Sequence, residues 1–399
     1  MPEAKQMQET EEKFEEAVEE LFSKRSGKKN PAKKSTRKSL ELLDNPEEEY
    51  KVVLVGGTNG KGSVVEMLSE LLQHQDKKVG TYKSPHLTTC RERMQVNGDK
   101  ISRKNFLELY TRIDSLDTDL SFFEFMTIMA YTHFAEKDVD YAVMEVGMGG
   151  RLDATNVVEP ELSVITNVGE DHKKYLGETV EERAREKAGI IHSNPVILGE
   201  MQETLIEVGE EKGAEIFGKK VVDGNANTLL DFEGEEFHIP VRGSFQSENL
   251  GTALSAIEKL EKIPEDLDEA LSDLECPGRM EVKSHDPLYI QDGAHNPSAV
   301  EKIVEDLPEG FVCVFNATET KDYAEMISIL EEKASKFFFT ESEVKWATEE
   351  AEKLGEECSI EYECVKDPEK AMVEAKDSAG EYGCVVATGS LYLLGSLRE

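Results

Sequence analysis

The segment Gly56-Gly57-Thr58-Asn59-Gly60-Lys61-Gly62-Ser63 stands between a short apolar run, Lys51–Gly56, and a stretch with apolar residues at 64, 65, 68, 71 and 72. The run predicts a buried strand and the spacing predicts a helix over Ser63–Gln75. A strand that turns through glycines into a helix makes an anion cradle. Glycines let backbone N–H groups turn toward a phosphate, and the helix N-terminus adds its positive end. Lys61 is placed to neutralise β/γ-phosphate charge, and the Ser63 hydroxyl to ligate Mg2+. The spacing departs from the common phosphate-loop pattern, because Gly62 separates the lysine from the hydroxyl residue. A Gly-rich βα turn without a ligand is the alternative. The flanking elements and Lys61 favour a nucleotide site built by Gly57, Thr58, Asn59, Gly60, Lys61, Gly62 and Ser63.

The same alternation continues along the chain. Strands are expected at 140–146 and 162–167, with helices near 103–114 and 121–136, a hairpin over 228–239 around Glu233-Gly234, and a helix at 246–262. A second series offers strands at 287–291, 311–316, 336–340 and 383–388, and helices at 297–307, 321–335, 343–354 and 367–376. Strand–helix alternation implies an α/β fold with a mainly parallel sheet covered on both faces. Ile263-Pro264 and Cys276-Pro277-Gly278 interrupt the pattern. The expected domains are therefore a helical segment at 1–50, an ATP-binding domain at 51–274 and a smaller Rossmann-like α/β domain at 275–399.

Charge narrows the partners. The chain of 399 residues carries 83 acidic against 46 basic side chains, a formal net of −37. Residues 277–399 hold 27 acidic and 12 basic residues, so the acid is spread rather than confined to a tail. Phosphate contacts to nucleic acid need clustered cations, and anionic membrane surfaces attract them. Neither partner is expected. A whole acidic surface reads as adaptation to high salt, or as an ordinary acidic protein. No run of 18 apolar residues exists, and the segment Met1–Glu12 is polar, unlike a secretory signal. The six cysteines form no CxxC pair, which fits a reducing cytoplasm. Against this background the stretch Lys24–Lys38 has eight cations and no acid. It reads as a solvated loop or a contact to an acidic surface of its own protein, with a nucleic-acid patch as the alternative.

Three further clusters lie at expected strand ends, where open parallel sheets bind ligands. They are Ser84-Pro85-His86-Leu87, the segment from Glu145 through Arg151 and Asp153 to Asn156, and Asp171-His172. Glu145 is placed to hold Mg2+ near Ser63. Taken alone, His172 reads as a structural histidine, because imidazole prefers softer metals. Lys187 alone reads as a surface helix lysine, and Phe122 and Phe123 as helix core.

Together these clusters resemble the folylpolyglutamate synthase/dihydrofolate synthase family, a branch of the Mur ligases. The resemblance runs from about residue 51 to 397 and also covers Pro277-Gly278-Arg279, Asp292 to Pro297 and Thr388 to Leu393. It implies a Mur-ligase-like fold, ATP, two Mg2+ ions, and addition of L-glutamate to a folate or dihydropteroate carboxylate through an acyl phosphate. It implies Mg2+ binding by Ser63, Ser84, Glu145 and His172, and carbamylation of Lys187. Arg279 is implied at the γ-phosphate, Asp292 at the ribose region, and His295 and Asn296 at the cleft where the amino acid enters. Gln246 and Asn249 fall on the adenine side. Phe122, Phe123, Arg151, Asp153, His295 and Ser390 fall among the substrate contacts. Without the resemblance, Asp292, His295 and Asn296 read equally as a loop capping a helix at Pro297. The chain departs from the family at Phe245, where a histidine is usual, at Thr320, where an acid is usual, and over 24–38. A cytoplasmic monomer is expected. Other readings are a ligase for another pterin or carboxylate, and a nucleotide-binding regulator.

Overall fold

The computed structural model describes residues 2–24, 32–224, 228–342, 344 and 348–398, with side chains from residue 8 on. Residues 25–31 of the basic stretch, and 343 and 345–347 of the helix expected at 343–354, lie outside these.

The chain divides into two compact units. The first comprises 1–168, 173–220 and 249–270, and the second 169–172, 221–248 and 271–399. In chain order the first holds α1 (Pro2–Ser23), α2 (Ala32–Glu41), β1 (Lys51–Gly56), α3 (Lys61–His74), β2 (Val79–Tyr82), β3 (Met94–Val96), β4 (Asp99–Lys100), α4 (Arg103–Asp114), α5 (Phe122–Glu136), β5 (Tyr141–Glu145), β6 (Leu162–Ile165), α6 (Lys173–Leu176), α7 (Val180–Lys187), β7 (Val196–Leu198), α8 (Glu203–Glu211) and β8 (Ile216–Gly218). Its strands pair in the order β4-β3-β2-β5-β1-β6-β7-β8. From β2 to β8 the neighbours are parallel, with Val53 opposite Val143 on one side and Leu162 on the other. The short β3 and β4 run antiparallel at the edge. β1 is apolar and buried from Val52 to Gly56 because helices cover both sheet faces. α5 is buried almost throughout, from Glu124 to Phe134, as its all-round apolar sequence requires. The cations at 32–38 are helical rather than looped. Arg37 Nη2 donates to the Val157 carbonyl, and Lys33 feels the charge of Glu159.

The second unit begins with a three-stranded antiparallel sheet, β9 (Asp223–Gly224), β10 (Leu229–Phe232) and β11 (Glu235–His238), which contains the expected hairpin. The helix α9 (Phe245–Leu260) starts in this unit and ends in the first, where α10 (Leu267–Ala270) follows. Then come β12 (Glu281–His285), β13 (Leu288–Gln291), α11 (Pro297–Asp306), β14 (Phe311–Phe315), α12 (Tyr323–Glu331), β15 (Ala334–Phe339), α13 (Ala351–Gly355), β16 (Tyr362–Cys364), α14 (Pro368–Ala379), β17 (Cys384–Thr388) and α15 (Leu391–Ser396). The order β12-β13-β17-β14-β15-β16 is parallel except at β12. Residues 334 and 335, expected to close the helix at 321–335, instead open β15, because Ala334 pairs with Phe311. Cys313, Phe315, Phe337 and Phe339 fill this unit's core.

Candidate active site

In the order β2-β5-β1-β6 the loops after four neighbouring parallel strands emerge along one sheet edge. Three of the loops expected to meet are thus adjacent by topology: Gly57–Gly60 after β1, Ser84 after β2 and Glu145 closing β5. The fourth brings Thr166 and Asn167 after β6. No sequence motif marks these two, and their only signal is two polar residues directly after a buried strand run.

Thr166 and Asn167 shape the phosphate loop. Thr58 N–H donates to the Asn167 carbonyl at 3.1 Å, and Asn59 N–H to Asn167 Oδ1 at 3.0 Å. Thr166 Oγ1 donates to the Asn59 carbonyl at 2.6 Å. Gly57 has φ 140°, and a Cβ there would lie 1.9 Å from Thr166 Oγ1, so only glycine fits. Gly60 caps α3 at φ 80°, and a Cβ there would meet Asn249 Oδ1 at 2.3 Å. Asn249, expected on the nucleotide side, is therefore beside the loop.

Two lysines converge on this loop. Lys61 Nζ donates to the Gly57 and Thr58 carbonyls at 3.3 and 3.0 Å. Lys187 is buried, and its Nζ donates to the same Gly57 carbonyl at 2.8 Å. It is the last residue of α7, not the surface lysine its neighbours in sequence suggest.

The residues fit a divalent cation with phosphate. The Ser63 hydroxyl is buried with no hydrogen-bond partner among the described residues, which a structure tolerates where a ligand completes it. The Glu145 carboxylate is buried at the same edge and accepts the Ser84 N–H at 2.8 Å. A Cβ on Gly62 would lie 3.9 Å from Glu145 Oε2, which places that carboxylate at the first turn of α3. Among the described residues no group of three or more His, Cys, Asp and Glu side chains is arranged to hold a metal ion by itself. A hard cation here would take Ser63 and Glu145 and draw its remaining oxygens from phosphate and water.

The loop after β5 is a scaffold. Asp153 is buried and accepts Met148 N–H, Thr155 N–H and Thr155 Oγ1–H at 3.0, 2.9 and 2.7 Å. Burial raises its carboxyl, against those hydrogen bonds. Arg151 is bound twice to Glu186 Oε1, at 3.0 and 2.8 Å. Cβ atoms on Gly150 and Gly189 would run into Lys187 O at 2.8 Å and Arg151 Cα at 2.2 Å, so this loop is pressed against the end of α7.

On the β2 side, Phe122 stacks on Phe22 with ring centres 4.8 Å apart, and the Arg93 guanidinium is 5.1 Å from the Phe122 ring centre. Arg93 is buried and its Nε–H donates to His86 Nδ1 at 2.8 Å. Burial, helped by the Arg93 charge, pushes the His86 imidazole down to about 3, so it stays neutral and accepts. Phe123 packs on Gly147, where a Cβ would lie 2.4 Å from its ring.

The second unit gathers its own group. Asp171 accepts Lys321 Nζ at 2.6 Å, with His295 Nε2 at 3.6 Å and His172 Nε2 at 3.7 Å. Burial alone would raise the Asp171 carboxyl. The contact with His295 and the cationic charge of Lys321 outweigh it and hold the group well below the carboxylate range. His295 Nδ1 donates to the Gly293 carbonyl at 2.8 Å, since a carbonyl only accepts. Asp292 is buried and takes Met280 N–H and Ala294 N–H at 2.8 and 2.7 Å, pinning the turn that carries Arg279. Asn296 and Ser390 are N-caps, accepting from Ala299 N–H and Tyr392 N–H at 2.9 and 3.2 Å. Gln246 is buried in the first turn of α9.

Residues 55–257 match the model of the Mur ligase middle domain, and 278–391 that of the Mur ligase glutamate ligase domain. The chain is 34% identical to dihydrofolate synthase/folylpolyglutamate synthase of Bacillus subtilis, over 90% of this chain and 92% of that one. It is 32% identical to the probable bifunctional folylpolyglutamate synthase/dihydropteroate synthase of Haloferax volcanii, over 96% of this chain. It spans only 50% of that protein's length. The bifunctional folylpolyglutamate synthase/dihydrofolate synthase with Mn, AMPPNP and L-glutamate bound superposes with a TM-score of 0.82 at 28% identity, covering 91% of this chain and 92% of that one. Escherichia coli FolC in complex with DHPP and ADP gives 0.81 at 29% identity, covering 90% and 91%.

Proposed function

The chain belongs to the folylpolyglutamate synthase/dihydrofolate synthase branch of the Mur ligases, and from that membership we propose that it is an ATP-dependent ligase joining L-glutamate to a folate or dihydropteroate carboxylate. The observation that carries the reading is one sheet edge bearing a glycine phosphate loop, two lysines on the Gly57 carbonyl, a buried Ser63 hydroxyl with no partner among the described residues, and Glu145 at the first turn of the same helix. A regulator that only binds nucleotide has no need of a second buried lysine at the loop.

In the proposed reaction the acceptor carboxylate attacks the γ-phosphorus. The P–O bond to ADP breaks and an acyl phosphate forms. The glutamate amine then attacks the acyl carbon, loses a proton and expels phosphate. Lys61 and the loop N–H groups hold the phosphates and stabilise the charge that develops on the transferring group. Ser63, Ser84, Glu145 and His172 are the candidate Mg2+ ligands, and bound Mg2+ supplies neutralisation of phosphate charge. Arg279 is proposed for the γ-phosphate, Asp292 for fixing its turn, and His295 and Ser390 for the amino acid. Residues 51–274 supply the ATP-binding machinery and 275–399 the glutamate side, in a cytoplasmic monomer. Lys187 is proposed to be carbamylated. Its ammonium first loses a proton, the neutral amine adds to CO2 with an N–C bond formed and a C–O π bond broken, and a second proton is released, so that a cation becomes an anion.

A second reading concerns the acceptor. Phe22 covers a face of Phe122, the ring proposed for the pterin side, which favours an acceptor other than a standard pterin. Phosphate release with dihydropteroate, with tetrahydrofolate, and with neither tests both readings. Glutamate-dependent release with either acceptor supports the first. Release with neither, but with another pterin carboxylate, supports the second. ATP binding without any glutamate-dependent turnover overturns both.

A further inference from the structure

The turn after Lys187 has its four successive carbonyls taken up by side chains. Ala188 O and Ile191 O accept from Lys212 Nζ at 3.3 and 2.5 Å. Gly189 O accepts from Asn156 Nδ2 at 3.0 Å, and Ile190 O from Ser163 Oγ at 2.7 Å. A helix end leaves its last carbonyls without partners, and on a protein surface water commonly fills the need. Here the donors come from three places: the loop after β5, strand β6 and the residue that closes α8. Asn156 and Ser163 are fully buried. Lys212 is an exposed residue whose ammonium turns back onto the carbonyls, where a cation also opposes the negative end of the helix.

Asn156 links this turn to the loop that follows Glu145. Its Nδ2 donates to Gly150 O at 2.9 Å as well as to Gly189 O. Its amide is held in that sense because Oδ1 faces His192 Nε2 at 2.9 Å. An amide oxygen only accepts, so His192 Nε2 carries the proton.

We propose that Lys212, acting with Asn156 and Ser163, is a positioning residue for Lys187. The clasp fixes the 188–191 turn, and with it the side chain whose Nζ meets Gly57 O. Gly57 cannot shift to follow a displaced lysine, because Thr166 fills the space beside it. Loosening the turn therefore moves Lys187 off the phosphate loop. Displacements of about 1 Å at a reacting centre can cost about a hundredfold in rate. The kinetic part of this proposal rests on the ligase reading above.

The surface position of Lys212 makes it the variant of choice. Lys212→Met keeps the stem and removes the donor, whereas Lys212→Arg keeps a cation. In CO2-free buffer, acylation of Lys187 by an amine-reactive ester, read by peptide mass spectrometry, should rise about tenfold in Lys212→Met with Lys220 unchanged. In turnover, kcat should fall about tenfold or more while KM for ATP stays within about threefold, and Lys212→Arg should recover most of it. Added to Lys187→Ala, Lys212→Met should change the residual rate no further, because it acts only through Lys187. Unchanged labelling of Lys187, or an equal loss of rate in the Lys187→Ala background, would overturn the proposal. If the wild type shows no glutamate-dependent turnover, the ligase reading fails, and the labelling result still decides this one.

Discussion

At the scale of single residues the phosphate loop depends on contacts that leave no room for exchange. Gly57→Ala places a methyl group 1.9 Å from Thr166 Oγ1 at a φ that L side chains avoid. It should abolish binding of a non-hydrolysable ATP analogue in calorimetry while the fold, read by circular dichroism, persists. Lys187→Ala should lose turnover, with partial recovery on adding short-chain carboxylates. Wild-type rates from that variant would remove the carbamate role. His86 supplies a pH prediction. Burial holds it neutral in the folded chain down to about 3, whereas the unfolded chain takes up the proton below about 6.5. The unfolded state binds more protons between those values, so stability falls as pH drops through that window. His86→Gln should flatten this part of the denaturation midpoint–pH curve. A variant as steep as wild type would exclude His86 as the source. Lys61 and Ser63 were legible as residues because the glycine spacing around them has one physical purpose. Lys187 was not, because the groups it meets, the Gly57 carbonyl at its ammonium and Gly150 at its backbone carbonyl, are distant in sequence.

Among elements, the long apolar patterns were read well and the short ones were not. The helix over Arg103–Asp114 coincides with its expectation, and β1, β5, β6, β13, β14 and β17 lie within a residue or two of theirs. β3, β4, β7 and β8 are two or three residues long, too short to carry a period, and pairing with neighbouring strands defines them. The start of α5 was legible for a local reason. Ser121 and Glu124 form a capping box, with Glu124 N–H donating to Ser121 Oγ at 3.4 Å and Ser121 N–H to Glu124 Oε2 at 2.8 Å. Ser121→Ala should cost about 1 kcal/mol of stability in urea unfolding. A change near zero would show that the buried face of α5 alone sets its start. Asp292, Asn296 and Ser390 illustrate the converse. Each does the local capping or turn work that its sequence allows, and any contact to substrate comes in addition.

For the whole molecule, charge remains the governing quantity. ATP, glutamate and a pterin carboxylate are all anions, and a chain of net −37 repels them at long range. Four of its 12 arginines, Arg91, Arg93, Arg151 and Arg279, lie in or beside the segments that carry the family resemblance, which is where the anion sites are proposed. In about 1 M salt the screening length shrinks to about 3 Å. Activity and denaturation midpoint should therefore both rise from dilute buffer to molar KCl. A maximum in dilute buffer would contradict salt adaptation.

This sheet edge is proposed to drive glutamate ligation with ATP. Product analysis by mass spectrometry, with dihydropteroate and with tetrahydrofolate, glutamate and ATP in molar KCl, tests it most directly. Ligation at this site should yield an acceptor heavier by one glutamyl residue, with ADP and phosphate formed in equal amount. An unchanged acceptor in both reactions, with ADP formation indifferent to glutamate, would contradict it.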